Sequence, residues 1–475
     1  MARLATDTSA AGHLGDVCVL GLGKTGEAVA AYLADRLGDR VDSVTLYGGA
    51  RSVDGPASQA LVARGVRVVL GTEDVQGHYD LCVASPGIPE HAPFLRAAAA
   101  CSDELIGEPE LAWRESPQRW LAITGTNGKT TTTTLTTQLL QAAGRDAVAV
   151  GNIGNLAIGE VDGRPDDRWF VAELSSFQLA EAPRLHPRAA ALLNVTPDHL
   201  SWHGTLERYA LAKENAFANL TRDDLAVVSC EDDWCRAAIG RLERRGLRVA
   251  HVCVAGDPGT PCAAFQRDGR LVVRLDGVEH DLVAADELAI RGAHNVQNAL
   301  VASALVLEVG AADSDVASGL RAFCPLEHRI EPCGELGGVH FVNDSKATNT
   351  DAVEKALTAF PAGHVVLLMG GHDKGTDLTS VAAAASRHAR VVVCFGEAGP
   401  RIADAVTSTA AGAEVLQAPH LAEALDAAIG VAQDGDTVLL SPACSSFDEF
   451  SGFEERGRVF KRLVGERIAR NGGAR

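Results

Sequence analysis

Short apolar runs alternate with Ala-rich helical stretches along almost the whole chain, and this alternation leaves few folds open. Runs such as 17–20 and 365–369 are apolar on both faces, as in parallel strands covered by helices on either side. The expected class is α/β. At roughly 150 residues per domain, 475 residues make about three domains, each able to bury a core. The first third predicts strands at 17–20, 43–47, 66–70 and 81–85 and a helix at 25–36, a nucleotide-binding layout. A polar, Trp-containing segment, 108–119, precedes a new strand at 120–123, which places a boundary near residue 117. The second block predicts strands at 147–150, 169–174, 189–194 and 225–229, a hairpin region at 271–282 and a closing helix at 292–309. Beyond Phe323, Pro325 and Pro332 break the helical pattern, and five strands are predicted at 339–342, 365–369, 391–395, 414–417 and 437–440.

Composition narrows the partners. The formal net charge is −19 and no long basic run stands out, so neither a nucleic-acid backbone nor a membrane surface is expected. An anionic substrate then needs a local basic site. The N-terminus lacks a basic stretch followed by an apolar core, and no apolar run approaches the roughly 18 residues of a membrane helix, so a cytoplasmic location is expected. Eleven cysteines are too sparse for a disulfide scaffold and read mostly as small buried hydrophobes. A monomer is the working expectation.

Two glycine loops follow predicted strands. Gly21-Leu22-Gly23-Lys24-Thr25-Gly26 fits a diphosphate-binding turn, yet the second strand ends Leu46-Tyr47-Gly48 without the acidic residue that a nicotinamide ribose needs. This disfavours a dehydrogenase and leaves another diphosphate, or a tight turn without ligand. The second loop, Gly125-Thr126-Asn127-Gly128-Lys129-Thr130-Thr131, lies between a strand and a helix beginning near Lys129. Its backbone N–H groups suit phosphates, Lys129 supplies a point charge, and the Thr130 hydroxyl suits magnesium.

Glu173 and His199 close two predicted parallel strands, so both face the crevice that holds the phosphate loop, where they suit magnesium. Taken alone, each is more often structural, as a helix cap or a hydrogen-bonded core histidine, and the shared edge with the phosphate loop reverses that. Lys213 alone reads as a solvated helix lysine. Asn295 and Asn298, three apart, share a helix face and can read an adenine edge, or cap the helix. In the last third, the segments from Asn343 to Asn349, Gly370 to Gly375 and Ser441 to Phe447 follow strands and converge on one sheet edge as a pocket for small anionic groups.

These motifs resemble the Mur ligase family of ATP-dependent amide-forming enzymes over nearly the whole chain. The carriers are GTNGKTT from Gly125, the Gly151-Asn152-Ile153-Gly154 turn, ELSSFQL from Glu173, NVTPDHL from Asn194, HNVQNALVA from His294, HRIE from His328, NDSKATN from Asn343 and SPACSSFDEF from Ser441. NDSKATN favours the D-glutamate-adding branch. The resemblance implies a Rossmann-like domain for the UDP substrate (1–117), a central P-loop ATPase-like domain (118–324) and a C-terminal Rossmann-like domain for the amino acid (325–475). It implies that Lys24, Thr25 and Gly87 hold the UDP end of UDP-N-acetylmuramoyl-L-alanine, with Asn152 and His199 also facing that substrate. Lys129 and Thr130 meet ATP phosphates and magnesium; Glu173 holds a first Mg2+ and His199 a second. Asn295, Asn298, Arg329 and Asp344 grip ATP, while Thr348, Lys374, Ser446 and Phe453 surround D-glutamate. It also gives Lys213 a role as a carbamylated magnesium ligand, which is chemically sensible because a carbamate offers oxygens and negative charge. The expected reaction forms an acyl phosphate from ATP and the substrate carboxylate, which the D-glutamate amine attacks. The alternatives are another amino-acid ligase of the Mur and folylpolyglutamate group, an oxidoreductase, or a nucleotide-binding regulator without turnover.

Overall fold

A computed structural model describes residues 12–409 and 412–472. Among these, twenty strands form three sheets covered by helices. The chain divides into two compact units, one of residues 1–285 with 297–321 and the other of 286–296 with 322–475.

The first unit holds two sheets. Strands β1 (Gly15–Leu20), β2 (Val41–Tyr47), β3 (Arg67–Val69), β4 (Tyr79–Ala84) and β5 (Ser102–Gly107) are parallel in the order β3-β2-β1-β4-β5. Such an order reverses direction between β1 and β4, so the loops after those strands flank one crevice. The second sheet contains β6 (Trp120–Thr124), β7 (Ala147–Gly151), β8 (Trp169–Glu173), β9 (Ala189–Leu192), β10 (Leu225–Ser229), β11 (Arg248–Cys253), β12 (Ala263–Arg267), β13 (Arg270–Leu275) and β14 (Val278–Ala284). Its order is β14-β13-β12-β11-β10-β9-β6-β8-β7, parallel except for the β12-β13-β14 meander. The core strands β6, β8, β9 and β10 are buried on both faces, as their unbroken apolar runs require.

The second unit is built on β15 (Glu331–Leu336), β16 (Val339–Asn343), β17 (Val365–Gly370), β18 (Ala389–Phe395), β19 (Glu414–Ala418) and β20 (Thr437–Ala443), in the order β15-β16-β20-β17-β18-β19. Only β15 runs antiparallel. It carries Pro332 and sits at the edge, where a strand without one ladder donor is tolerated. The sequence reading treated this segment as a break, so the sheet gains one strand over the five expected. Cys230, just after β10, and Cys253, at the end of the neighbouring β11, form a disulfide, and nine further cysteines are free. No helix among the described residues is long and apolar enough to cross a membrane.

Candidate active site

The phosphate loop leaves β6 and enters the helix Lys129–Ala142, as its motif requires. Its shape depends on glycine at two points, Gly125 (φ 157°) and Gly128 (φ 85°), where the chain turns into conformations that L side chains rarely adopt. The side chain of Asn194, beyond β9, stitches the loop. Its Oδ1 accepts from Asn127 N at 2.8 Å and its Nδ2 donates to Asn127 O at 3.0 Å. Thr126 N donates to Asn194 O at 3.0 Å, and Thr126 Oγ1 lies 3.2 Å from the Tyr209 hydroxyl. Asn298 is anchored to the same region, its Oδ1 accepting from Thr132 Oγ1 at 3.1 Å.

Two lysines meet on one carbonyl of this loop. Lys129 Nζ donates to Gly125 O and Thr126 O, both at 2.9 Å, and Lys213 Nζ donates to Gly125 O at 2.7 Å. Lys213 is 1% exposed, on the helix Leu206–Glu214, with its amine 4.4 Å from the Tyr209 ring centre. Burial, with the Lys129 charge nearby, holds this amine well below the ordinary lysine range. A helix lysine that reads as solvated from sequence is therefore an interior group of the site.

Glu173 ends β8 and is buried. Its Oε1 accepts from Asn152 Nδ2 at 2.9 Å, while its buried Oε2 has no hydrogen-bond partner. A buried carboxylate oxygen left without a donor suits a metal ion. Gly151, paired with Glu173, has φ 93°, and a Cβ there would lie 2.4 Å from Glu173 O. His199 has φ 52° and a half-exposed ring in contact with Phe177, centroids 4.8 Å apart. Among the described residues no three His, Cys, Asp or Glu side chains gather as a metal site, so the expected set must draw on other donors.

In the first sheet the Gly21 loop and the Ser85–Gly87 turn lie side by side, Ser85 N donating to Leu20 O at 3.1 Å. A Cβ at Gly26 would fall 1.8 Å from Gly21 O, which accounts for the third glycine of the motif. Thr25 is partly exposed here, Gly87 is exposed, and Lys24 Nζ donates to Gly154 O. Lys24 thus reaches the turn bearing Asn152, which in turn holds Glu173.

In the second unit, Asn295 and Arg329 line a mainly apolar cavity of about 100 Å³ with Ile290, Ile330, Val342 and Phe360. Asn295 Nδ2 donates to Arg291 O at 2.8 Å. Asp344 is buried; its Oδ2 accepts from Ser441 Oγ at 2.7 Å, and burial pushes its carboxyl up to about 7. Lys374 Nζ donates to Thr348 O at 3.3 Å, and Lys346 Nζ sits 3.7 Å over the Phe453 ring. Ser446 is buried in the loop after β20. Asn194 and Ser441 enter the sequence reading only as members of motifs and Tyr209 has no role there; Asn194 just past β9, Ser441 near the end of β20 and Tyr209 one turn before Lys213 were the available signals.

A phosphate loop on a parallel sheet, with Lys129 in it and the buried Glu173 carboxylate at the end of a neighbouring strand, defines a P-loop nucleotide-binding protein. Residues 123–306 match the Mur ligase middle domain and residues 328–444 the Mur ligase, glutamate ligase domain. A protein of Acidobacterium capsulatum named UDP-N-acetylmuramoylalanine--D-glutamate ligase is 39% identical over 94% of this chain and 95% of its own length. One of Rubrobacter xylanophilus bearing the same name is 40% identical, covering 96% and 99%. Among solved structures, a pseudomurein peptide ligase type C from Methanothermus fervidus has a TM-score of 0.59 at 16% identity, over 95% of this chain and 99% of that one. The UDP-N-acetylmuramate-alanine ligase of Thermotoga maritima has a TM-score of 0.57 at 20% identity, with the same coverage. The chain belongs to the Mur ligase family.

Proposed function

We propose that this chain joins D-glutamate to UDP-N-acetylmuramoyl-L-alanine in peptidoglycan precursor synthesis, consuming ATP through an acyl phosphate and releasing ADP and phosphate. The full-length similarity to D-glutamate ligases supports the substrates. The observation that carries the chemistry is the unpartnered Glu173 Oε2 beside a loop on which Lys129 and Lys213 converge.

The residues fit magnesium. Glu173, the Thr130 hydroxyl, His199 and a carbamate on Lys213 would hold it, at two sites, and bound there it would neutralise charge on the transferring phosphoryl group. Lys213 suits carbamylation because its amine is buried, donates to a carbonyl rather than a carboxylate, and is held toward the neutral form by burial and the Lys129 charge. Lys129 would exchange its loop carbonyls for phosphate oxygens, alongside the amides of Gly125 through Thr131. Lys24, Thr25 and Gly87 would receive the UDP end, Asn152 and His199 the alanyl end. Asn295, Asn298, Arg329 and Asp344 would hold the nucleotide, and Thr348, Lys374, Ser446 and Phe453 the amino acid. With no protein nucleophile in this scheme, rate comes from positioning and electrostatics. The buried Cys444 thiol, pushed up to about 11 by burial, takes no part.

The division at 117 and 324 is supported by three separate sheets. We also propose a cytoplasmic monomer; among the described residues five large apolar side chains are exposed, few for an obligate interface. The test is phosphate release with Mg-ATP, the UDP-muramoyl-alanine substrate and either D-glutamate, L-glutamate or other amino acids. Release that needs D-glutamate is expected. Release with another amino acid would reassign the substrate, and none with any pair would refute a ligase.

A further inference from the structure

The loops after β16, β17 and β20 carry Thr348, Lys374 and Ser446, and the helix Phe453–Gly472 begins at the fourth amino-acid candidate. One side chain joins all four segments. Arg456 is 0% exposed, one turn into that helix. Its Nε donates to Ser345 Oγ at 3.0 Å and its Nη2 to Ser345 O at 2.9 Å, gripping the loop after β16. The same Nη2 donates to Cys444 O at 3.0 Å, and Nη1 to Ser445 O at 3.3 Å, gripping the segment that ends β20. Ser445 O also accepts from His372 N at 2.9 Å, which brings in the loop after β17. Ser345 Oγ then donates to Phe453 O at 2.8 Å, closing the ring of contacts. The approach is tight, since a Cβ on Gly371 would lie 2.3 Å from Ser445 O and 3.0 Å from Arg456 Nη1.

Every one of these bonds ends on a carbonyl or hydroxyl oxygen and none on a carboxylate, an unusual choice for a buried guanidinium. Burial lowers its pKa only to about 10, so the group is charged at neutral pH. A planar fork suits this task where an ammonium does not, because it fixes several acceptors in one geometry.

We propose that Arg456 is a positioning residue for the amino-acid substrate: it locks the three strand-end loops to the start of the last helix. The inference rests on the assignment of Thr348, Lys374, Ser446 and Phe453 to the amino acid. Removing the fork loosens the pocket for one substrate and leaves the phosphate loop untouched.

Kinetics of the full chain test it. Arg456→Lys, Arg456→Gln and Ser345→Ala are compared with wild type in the phosphate-release assay, varying each substrate in turn, with melting curves as the check on folding. Arg456→Lys keeps the charge and loses the fork, so the KM for D-glutamate should rise on the order of tenfold. Arg456→Gln should raise it further, and in both the KM for ATP and for the UDP substrate should stay within about twofold. An unchanged amino-acid KM in the folded variants overturns the proposal, as does an equal rise for all three substrates. If Arg456→Gln does not fold, Arg456→Lys and Ser345→Ala decide the question by the same comparison. Wild type that uses another amino acid would refute the substrate assignment alone; the variants are then read on that amino acid, where an unchanged KM refutes the role of Arg456.

Discussion

Lys129 and Lys213 share one carbonyl, and that crowding defines their different fates. Lys129 is half-buried at the first position of a helix, where a cation opposes the helix dipole unless an anion arrives. Its replacement by Ala should lower kcat by about 10²–10³-fold, the scale of other electrostatic donors to a transition state, with little change in the KM of the UDP substrate. Steady-state phosphate release checks this, and a near-normal rate would remove Lys129 from the mechanism. Lys213 has the burial that a reactive amine needs, and its hydrogen bond goes to a carbonyl rather than to a carboxylate. In bicarbonate buffer the intact protein should gain the mass of one CO2, and Lys213→Ala should not. An equal gain in both, or no gain in either, would refute the carbamate.

At the scale of elements, the turn after β7 connects stability to function. Gly151 is paired with Glu173, and Asn152, the next residue, donates from its backbone N to Glu173 O at 2.8 Å and from its side chain to Oε1. Gly151→Ala would place a methyl against a backbone oxygen at a positive φ, so we expect a loss of about 2 kcal/mol or more and a raised Mg2+ requirement. Thermal melts and Mg2+ titration of the rate check both, and an unaltered melt would show that the turn relaxes freely. The strands that frame this turn were legible as apolar runs, and the glycine loops as motifs. Other elements were hidden for physical reasons. β5 reads Ser-Asp-Glu-Leu-Ile-Gly, only its end apolar, because it lies at a sheet edge. The segment 108–115 reads as a polar linker yet forms a helix whose Glu108 and Glu110 are buried, their carboxylates accepting from Ile158 N and Leu185 N. Lys213 was illegible for the same reason, since burial of a charged residue is decided by tertiary neighbours that no local pattern encodes. Arg456 likewise sits in a helix rich in arginine and glutamate, where nothing local marks it.

Across the whole molecule, buried titratable groups set how stability follows pH. Burial, with Glu90 nearby, pushes Glu181 up to about 8, and its two oxygens have no hydrogen-bond partner beneath the end of the first sheet, where Gly107 and the Cys82 thiol are its neighbours. Burial likewise holds Glu108 and Asp344 near 7. In each case the folded value is raised, so the stabilising contribution is complete below the unfolded value near 4 and is lost as pH rises through the folded one. Ion-paired carboxylates act oppositely, but their window lies lower; Asp257, hydrogen-bonded to Arg274, is held at about 2 and exposed, so its contribution is small and is lost only in acid. Between about pH 5 and about pH 8 each raised carboxyl contributes a falling slope of up to about 1.4 kcal/mol per pH unit, against rising contributions from the buried Lys213 and, below about pH 6.5, from His203 and His294, whose folded values are lowered. Glu181→Gln removes one titrating group while keeping a neutral side chain of the same shape. Its melting temperature should match the parent near pH 5 and exceed it near pH 8. Parallel profiles for parent and variant would mean that Glu181 titrates at its ordinary value and that the site beneath the first sheet is wetter than its burial implies.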